Sequence, residues 1–353
     1  MFKIFKNTLI LGIYSVFWLS SCGAVSSNYK VEKFSSQYKI CPTHKNSFCM
    51  VDFHPNSELV ASSSYEPEVK IWQISNGEVI QTLIHPEGVL GLDFSSDGKY
   101  LATSSYDNNV RIWQVSDGQL IKTFSGHQHM VIAVKFSPDN KNLASVSADD
   151  TARIWDFTTG DSITLKAHQG DVWGIAYSPD GKLLLTGGED NNINVWSATS
   201  GKLISTLTDH SGAVLELEFS HDGELLISGG DDYTIKIWDT QTWQVINTID
   251  EDLYSIYGLA FSPDDSIIAS SHRDKGLVGE FFQYHWGSNE GDSDITIRMW
   301  DVKTGKLLKQ LSGHSDDVNN VVFSPDGKSL ASSSVDGSVI VWDMKKLMSN
   351  HVK

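Results

Sequence analysis

This 353-residue sequence reads as an all-β propeller of seven blades, each built from four antiparallel strands. Tryptophans recur at Trp72, Trp113, Trp155, Trp196, Trp238, Trp300 and Trp342, at intervals of 41, 42, 41, 42, 62 and 42 residues. Each closes an Ile- and Val-rich run, and turn chemistry such as Ser324-Pro325-Asp326-Gly327 separates successive runs. No stretch carries the apolar period of a long helix.

Within the last unit the first strand ends at Phe323, the second spans Leu330 to Ser333, and the third runs from Val339 to Trp342 after a turn at Asp336-Gly337. In the unit before it, Lys303-Thr304-Gly305 turns the chain into a fourth strand, Lys306 to Leu311. The inner strands are nearly continuous apolar runs, as strands covered on both faces by neighbouring blades should be. With 44 acidic and 27 basic side chains the net charge is −17, which excludes a nucleic-acid binder steered by overall charge. Three cysteines, Cys22, Cys41 and Cys49, are too few for a disulfide scaffold or a cysteine-rich zinc protein.

Residues 1–21 read as an export signal: Lys3 and Lys6 precede an apolar run from Leu9 to Leu19, and small residues follow. That run is shorter than the roughly 20 residues a transmembrane helix needs. Leu19-Ser20-Ser21-Cys22 resembles the bacterial lipobox, and the resemblance implies a diacylglyceryl group on the Cys22 thiol and cleavage on its amino side. Two acyl chains hold a protein where one is marginal, since each buried methylene contributes about 0.8 kcal/mol. The competing readings are an ordinary signal with an unrelated cysteine and an uncleaved anchor. Gly23, not an acidic residue, follows the cysteine, as in lipoproteins exported to the outer membrane. Residues 22–35, polar and serine-bearing, form a tether.

Nine residues before each first-strand aromatic (Phe53, Phe94, Phe136, Tyr177, Phe219 and Phe323) stands a histidine: His44, His85, His127, His168, His210 and His314. Asp252, before Phe261, breaks the rule. Nine residues after the same aromatics stand Ser62, Thr103, Ser145, Thr186, Ser228, Ser270 and Ser332. Six residues before each tryptophan stands a carboxylate: Glu66, Asp107, Asp149, Asp190, Asp232, Asp294 and Asp336. This pattern resembles the WD-repeat β-propeller family over roughly residues 36 to 343. The resemblance implies a structural tetrad, in which indole, hydroxyl, imidazole and carboxylate hydrogen-bond in sequence. Five sets are complete: His85, Thr103, Asp107 and Trp113; His127, Ser145, Asp149 and Trp155; His168, Thr186, Asp190 and Trp196; His210, Ser228, Asp232 and Trp238; His314, Ser332, Asp336 and Trp342. They imitate catalytic triads, and the resemblance assigns them to structure instead.

The propeller is expected over 36–345, with an insertion at 274–291 in blade 6 and a tail at 346–353. No fourth strand follows Trp342, and aligning His44 with His314 sets Ser36 to Cys41 opposite Lys306 to Leu311. The amino-terminal segment should therefore supply the outer strand of blade 7 and close the ring. Cys41 and Cys49 flank the following loop, and after export they either form a disulfide or remain buried thiols.

No phosphate-binding glycine loop, GxSxG elbow, HExxH or CxxC occurs. His272 and His285 lie near Asp274, Glu280, Glu290, Asp292 and Asp294, but the spacing matches no metal motif. Outside the tetrads no titratable set converges from several blades, as an enzyme site in the central channel would need. The sequence therefore predicts a non-enzymatic scaffold or receptor without a cofactor, lipid-anchored in a bacterial envelope and binding a protein or peptide. A propeller hydrolase or lyase is the alternative. Positions four and six residues before each first-strand aromatic should ring the top of the channel. Leu90, Met130, Ile132, Asp171, Trp173, Leu215, Tyr257 and Asn319 are the expected contacts, with Glu189 and Asp231 as acidic neighbours. The roughly 20 extra residues of blade 6 bring Phe282, Tyr284 and Trp286 to the same rim as binding anchors.

Replacing Cys22 by Ala removes the lipid and, because lipidation precedes cleavage, also the processing step, so intact mass and membrane fractionation should both change. Unchanged mass and fractionation would overturn the lipid assignment.

Overall fold

The structure, a computed structural model, describes residues 38–42, 50–250, 254–274 and 296–349. The export signal, Cys22, the tether, Cys49, Phe282, Tyr284, Trp286 and the side chain of Cys41 lie outside the described residues.

Seven four-stranded antiparallel sheets follow one another along the chain, each with its strands in radial order from the channel outward. Blade 2 shows the pattern: Val89–Phe94, Tyr100–Ser105, Asn109–Gln114 and Leu120–Ser125. First strands of successive blades pack side by side, and Val318–Phe323 of blade 7 packs beside Met50–Phe53 of blade 1, closing the ring. The approach is tight enough to demand glycine. A Cβ on Gly258 of blade 6 would lie 2.9 Å from the Cα of Asn320 in blade 7 and 2.6 Å from Ser271 Oγ.

The core lies between blades. Ala102, Val110, Ile112 and Phe124 of blade 2 pack against Val131, Val134, Phe136, Leu143 and Trp155 of blade 3. Second and third strands are buried along most of their length, as in Tyr100–Ser105, whereas fourth strands alternate: in Leu120–Ser125 only Phe124 is buried. Truncating a buried tryptophan of this kind to Ala costs about 3–5 kcal/mol.

At the bottom rim, turns such as Ser178-Pro179-Asp180-Gly181 and Ser324-Pro325-Asp326-Gly327 join first to second strands. Ser324 Oγ donates to Asp326 Oδ1 at 2.8 Å and accepts the Ser329 N–H at 2.9 Å, while Gly327 adopts φ of 67°. These turns also touch from blade to blade. His221 Nδ1 lies 2.7 Å from Asp265 Oδ1, and His54 Nε2 lies 2.9 Å from the carbonyl of Gly98.

Tyr38–Pro42 is the outermost strand of blade 7, paired antiparallel from Tyr38 opposite Trp342 to Pro42 opposite Ser338. The strand expected at Ser36 to Cys41 thus closes the ring, one or two residues later in the chain. The carboxyl end differs from the expected tail at 346–353: Met344–Ser349 forms a short helix, α1. The Asp343 carboxylate caps it by accepting the Lys346 N–H at 3.1 Å. Met344 and Leu347, 7% and 4% exposed, join one buried cluster with Ala269, Ile297, Met299 and Leu311 of blade 6 and Val318, Leu330 and Trp342 of blade 7. Burial of those two side chains accounts for the helix, which covers the junction of blades 6 and 7.

Leu347→Ala should therefore cost about 2–5 kcal/mol in urea unfolding. A change below about 0.5 kcal/mol, the size of an ordinary surface effect, would mean that α1 does not stabilise the ring.

Candidate protein-binding face and the channel beneath it

Where each first strand begins, the second ends and the third begins, so the loops between them share one rim, the top. Tetrads hold these loops. In blade 3, Trp155 donates to Ser145 Oγ at 2.8 Å, His127 Nε2 lies 2.8 Å from that hydroxyl, and His127 Nδ1 lies 2.9 Å from Asp149 Oδ2. Asp149 also accepts the N–H of Gln128 at 2.8 Å. Blades 4, 5 and 7 repeat the chain through His168 and Asp190, His210 and Asp232, and His314 and Asp336, at 2.9, 2.8 and 3.1 Å. Burial alone would raise these carboxylates, but the hydrogen bonds they accept outweigh it and hold Asp149, Asp190, Asp232 and Asp336 below the usual range.

Blade 2 departs from the expected tetrad. Trp113, Thr103 and His85 are linked, at 3.0 and 2.9 Å, but His85 Nδ1 turns to the carbonyl of Leu83 at 3.2 Å. Asp107 instead pairs with both terminal nitrogens of Arg111, one at 3.0 Å. The cause is Pro86. Where blades 3, 4, 5 and 7 offer a backbone N–H to the carboxylate after the histidine, proline has none. Burial then pushes His85 down to about 4.

In blade 6, Trp300 donates to Ser270 Oγ at 2.8 Å, and His272 Nε2 lies 3.2 Å from that hydroxyl. An imidazole from the second strand, 3% exposed, thus takes the place of the missing histidine. His272 is a buried strand residue and not part of a polar loop. Asp294 and His44 lie outside the described residues, where blade 1 retains Trp72 donating to Ser62 at 3.0 Å. No group of three His, Cys, Asp or Glu able to hold a metal occurs among the described residues.

The first strands of blades 2 to 7 each carry a register shift near the top, between Val89 and Gly91, Val131 and Ala133, Val172 and Gly174, Val214 and Glu216, Ile256 and Gly258, and Val318 and Asn320. The residue skipped in each is Leu90, Ile132, Trp173, Leu215, Tyr257 or Asn319. A bulge of this kind re-aims the side chain it frees from pairing. The expected exposed ring is only partly open: Ile132, Trp173 and Tyr257 are half-buried, as are Met130 and Asp171, but Leu90, Leu215 and Asn319 are 7%, 8% and 1% exposed. Neighbouring strands crowd those three. Burial pushes the Asp171 carboxyl up to about 6, with repulsion from Glu189 and Asp150 adding and His129 opposing.

Two rim aromatics were not anticipated. Tyr65, 43% exposed, stands with its ring centroid 5.6 Å from that of Tyr106. Each directly precedes a tetrad-position carboxylate, Glu66 or Asp107, and that position is the sequence signal for a side chain at a loop tip.

Along the channel wall, at the seams between first strands, titratable groups do converge from several blades, contrary to the sequence expectation. The carboxylates of Asp52, Asp93 and Glu218 accept the N–H of Phe94, Phe136 and Phe261 in the next blade at 2.8, 2.7 and 2.8 Å. Lys135 pairs with Asp93 at 3.1 Å, and 40% of its side chain stays open, which weakens that pairing relative to a sealed one. Burial pushes Glu216 up to about 7 and Glu218 up to about 8, and it raises Asp52 and Asp93 as well. These groups close off edges of the inner strands that pair with nothing else.

The fold and the tetrads define a class, the WD-repeat propellers. The profile of the WD domain, G-beta repeat, matches residues 35–73, 77–114, 118–156, 161–197, 201–239, 243–278 and 305–343, and the chain belongs to that family. Each match is staggered against the blades: 77–114 joins the outer strand of blade 1 to three strands of blade 2. WD-repeat propellers generally bind protein partners. The chain is 34% identical over 73 residues to WD repeat-containing protein 36 of Homo sapiens, covering 21% of this chain and 7% of that protein. It is 48% identical over 50 residues to periodic tryptophan protein 2 of Arabidopsis thaliana, covering 14% and 6%. A guanine nucleotide-binding protein subunit beta of Zea mays is 39% identical over 56 residues, covering 16% and 15%. The chain thus spans under a fifth of the length of these relatives.

A carboxyl whose folded value lies above its ordinary one, 4.5 for Glu218, favours folding below that pH, and the advantage is lost as pH rises toward about 8. Glu218→Gln keeps an acceptor for Phe261 and removes the ionisation. Its melting temperature should match wild type at pH 5 and exceed it at pH 8.5, and parallel pH profiles would overturn the assignment.

Proposed function

We propose that this protein is a non-enzymatic scaffold or receptor, held by lipid at Cys22 on the outer side of a bacterial membrane, that binds a protein or peptide on its top rim. The ring of bulges carries this reading. Six blades re-aim a side chain toward one mouth, and Ile132, Trp173 and Tyr257 keep part of their apolar surface open there. Phe282, Tyr284 and Trp286 of the blade 6 insertion belong to the same interface. The rival, a hydrolase or lyase acting in the channel, draws on the seam groups Asp52, Asp93, Lys135, Glu216 and Glu218. Three of those four carboxylates are already acceptors of backbone N–H groups, which favours a structural role over a reactive one.

The test is cross-linking and capture with full-length protein in its native membrane, comparing wild type with Trp173→Ala, Tyr257→Ala and a deletion of residues 276–290. Partner yield should fall about tenfold or more with the melting temperature unchanged. Undiminished capture by all three variants would sink the top-rim reading.

A further inference from the structure

Lysines stand beside four of the bottom turn aspartates, whereas Glu224 and Ser266 take that place beside Asp222 and Asp264. At the bottom, Asp97, Asp139, Asp180 and Asp326 each pair with a lysine two residues on, at 2.8, 3.2, 2.8 and 2.9 Å. The loops of the top rim carry Glu87, Asp150, Asp171, Glu189, Asp209, Asp231, Asp316 and Asp317 outside the tetrad positions. Among their described residues Lys166 is the one lysine or arginine.

Anionic charge and open apolar surface coincide in one sector. Met130, Ile132 and Trp173 are half-buried there. The loops around them are tied together: Ala148 N–H donates to the Met130 carbonyl at 3.1 Å, and Glu189 N–H donates to the Asp171 carbonyl at 2.8 Å. Gly170 holds φ of 119° beneath the Glu189 carboxylate, which a Cβ at that position would meet at 2.8 Å. Asp150 and Glu189 act on Asp171 electrostatically and His129 opposes them, so the three carboxylates and that imidazole share one field.

We propose, building on the top-rim reading above, that blades 3 and 4 dock a cationic segment of a protein partner. Its Lys and Arg stems lie on Met130, Ile132 and Trp173, and their charged heads reach Asp150, Asp171 and Glu189. Charge complementarity selects this occupant, because an acidic or neutral segment would leave three neighbouring carboxylates to be desolvated with His129 as the one basic group acting on Asp171. Long basic side chains suit such a surface, since apolar stems cover it while the heads stay at its anionic margin. The Trp173 face adds an attraction for a guanidinium or ammonium group.

The experiment places the photo-cross-linking residue p-benzoylphenylalanine at Met130, and separately at Tyr257, in the full-length protein in its native membrane. Mass spectrometry then identifies the tethered partner segment. A segment with a clear excess of Lys and Arg at Met130 is expected; a neutral or acidic one overturns the proposal. Asp150→Asn, Asp171→Asn and Glu189→Gln together should lower the Met130 yield about tenfold. The matching bottom-rim triple, Asp97→Asn, Asp139→Asn and Asp180→Asn, should leave it within about twofold, since those charges are screened and already paired. Equal losses in the two triples would mean that overall charge steers the partner, and the proposal would fail. Cross-linking at Tyr257 without cross-linking at Met130 would refute this sector alone, whereas no cross-linking from either position would refute the top-rim reading itself.

Discussion

Each blade depends on one hydrogen bond, from the indole N–H of its tryptophan to a hydroxyl on its second strand. It forms in all seven blades at 2.8–3.0 Å. A hydroxyl that accepts from indole has its own proton left for an imidazole Nε2, so that imidazole must carry its proton on Nδ1, facing the carboxylate. The carboxylate in turn collects a backbone N–H from the loop after the histidine. One buried donor thus fixes a tautomer, an ionised group and two loops. Leaving any member unpaired would cost about 1–3 kcal/mol, which is why the described tetrad residues of blades 2 to 7 retain the chain or rebuild it. Blades 2 and 6 show the rebuilding, with a carbonyl and a strand histidine as the substitutes.

Fixed loops are a precondition for a binding face. The bulges place side chains at the mouth only because the strands below them are held in register by the tetrads and by close first-strand packing. Gly91, Gly174 and Gly258 follow the bulged residues of blades 2, 4 and 6, where a Cβ would press into the next blade. The same geometry that draws the seams tight therefore turns the preceding side chain away from its pairing partner. Stability and display of the rim are two results of one local distortion, a residue inserted where the strands come nearest.

Much of this was legible in the sequence because it is written locally. The tryptophan, hydroxyl and carboxylate of one tetrad lie on adjacent strands at fixed offsets, and turn residues mark every boundary. Blade 2 was legible in part: Pro86 visibly lacks an N–H. Yet Arg111 and Arg153 stand at the same offset from Asp107 and Asp149, and Arg153 stacks on Trp155 with its guanidinium 5.4 Å from the ring. Only the missing amide separates the two cases. The seam groups escaped notice for a different reason. Asp52 and Phe94 are 42 residues apart, a full repeat, so their contact is a property of two blades meeting and not of either alone. Helix α1, six residues with two buried contacts, is too short for any periodicity. The burial of Leu90, Leu215 and Asn319 reflects crowding at the mouth, which position in the repeat does not reveal.

The formal charge of −17 counts every carboxylate as ionised, and the structure shows why that count misplaces the field. Glu216 and Glu218 are pushed up to about 7 and about 8, and Asp52 and Asp93 are raised beside Lys135, so the channel wall is less anionic at neutral pH than its composition suggests. At the bottom, lysines stand against four of the turn aspartates, Asp97, Asp139, Asp180 and Asp326. The tetrad carboxylates are ionised but spend their charge on internal donors. The top loops carry Glu87, Asp150, Asp171, Glu189, Asp209, Asp231, Asp316 and Asp317, and Lys166 is the one lysine or arginine among their described residues. The acidic top loops are therefore the anionic side of the docking surface proposed above. Under that proposal, such a field would steer a cationic segment toward the face where the bulged side chains stand.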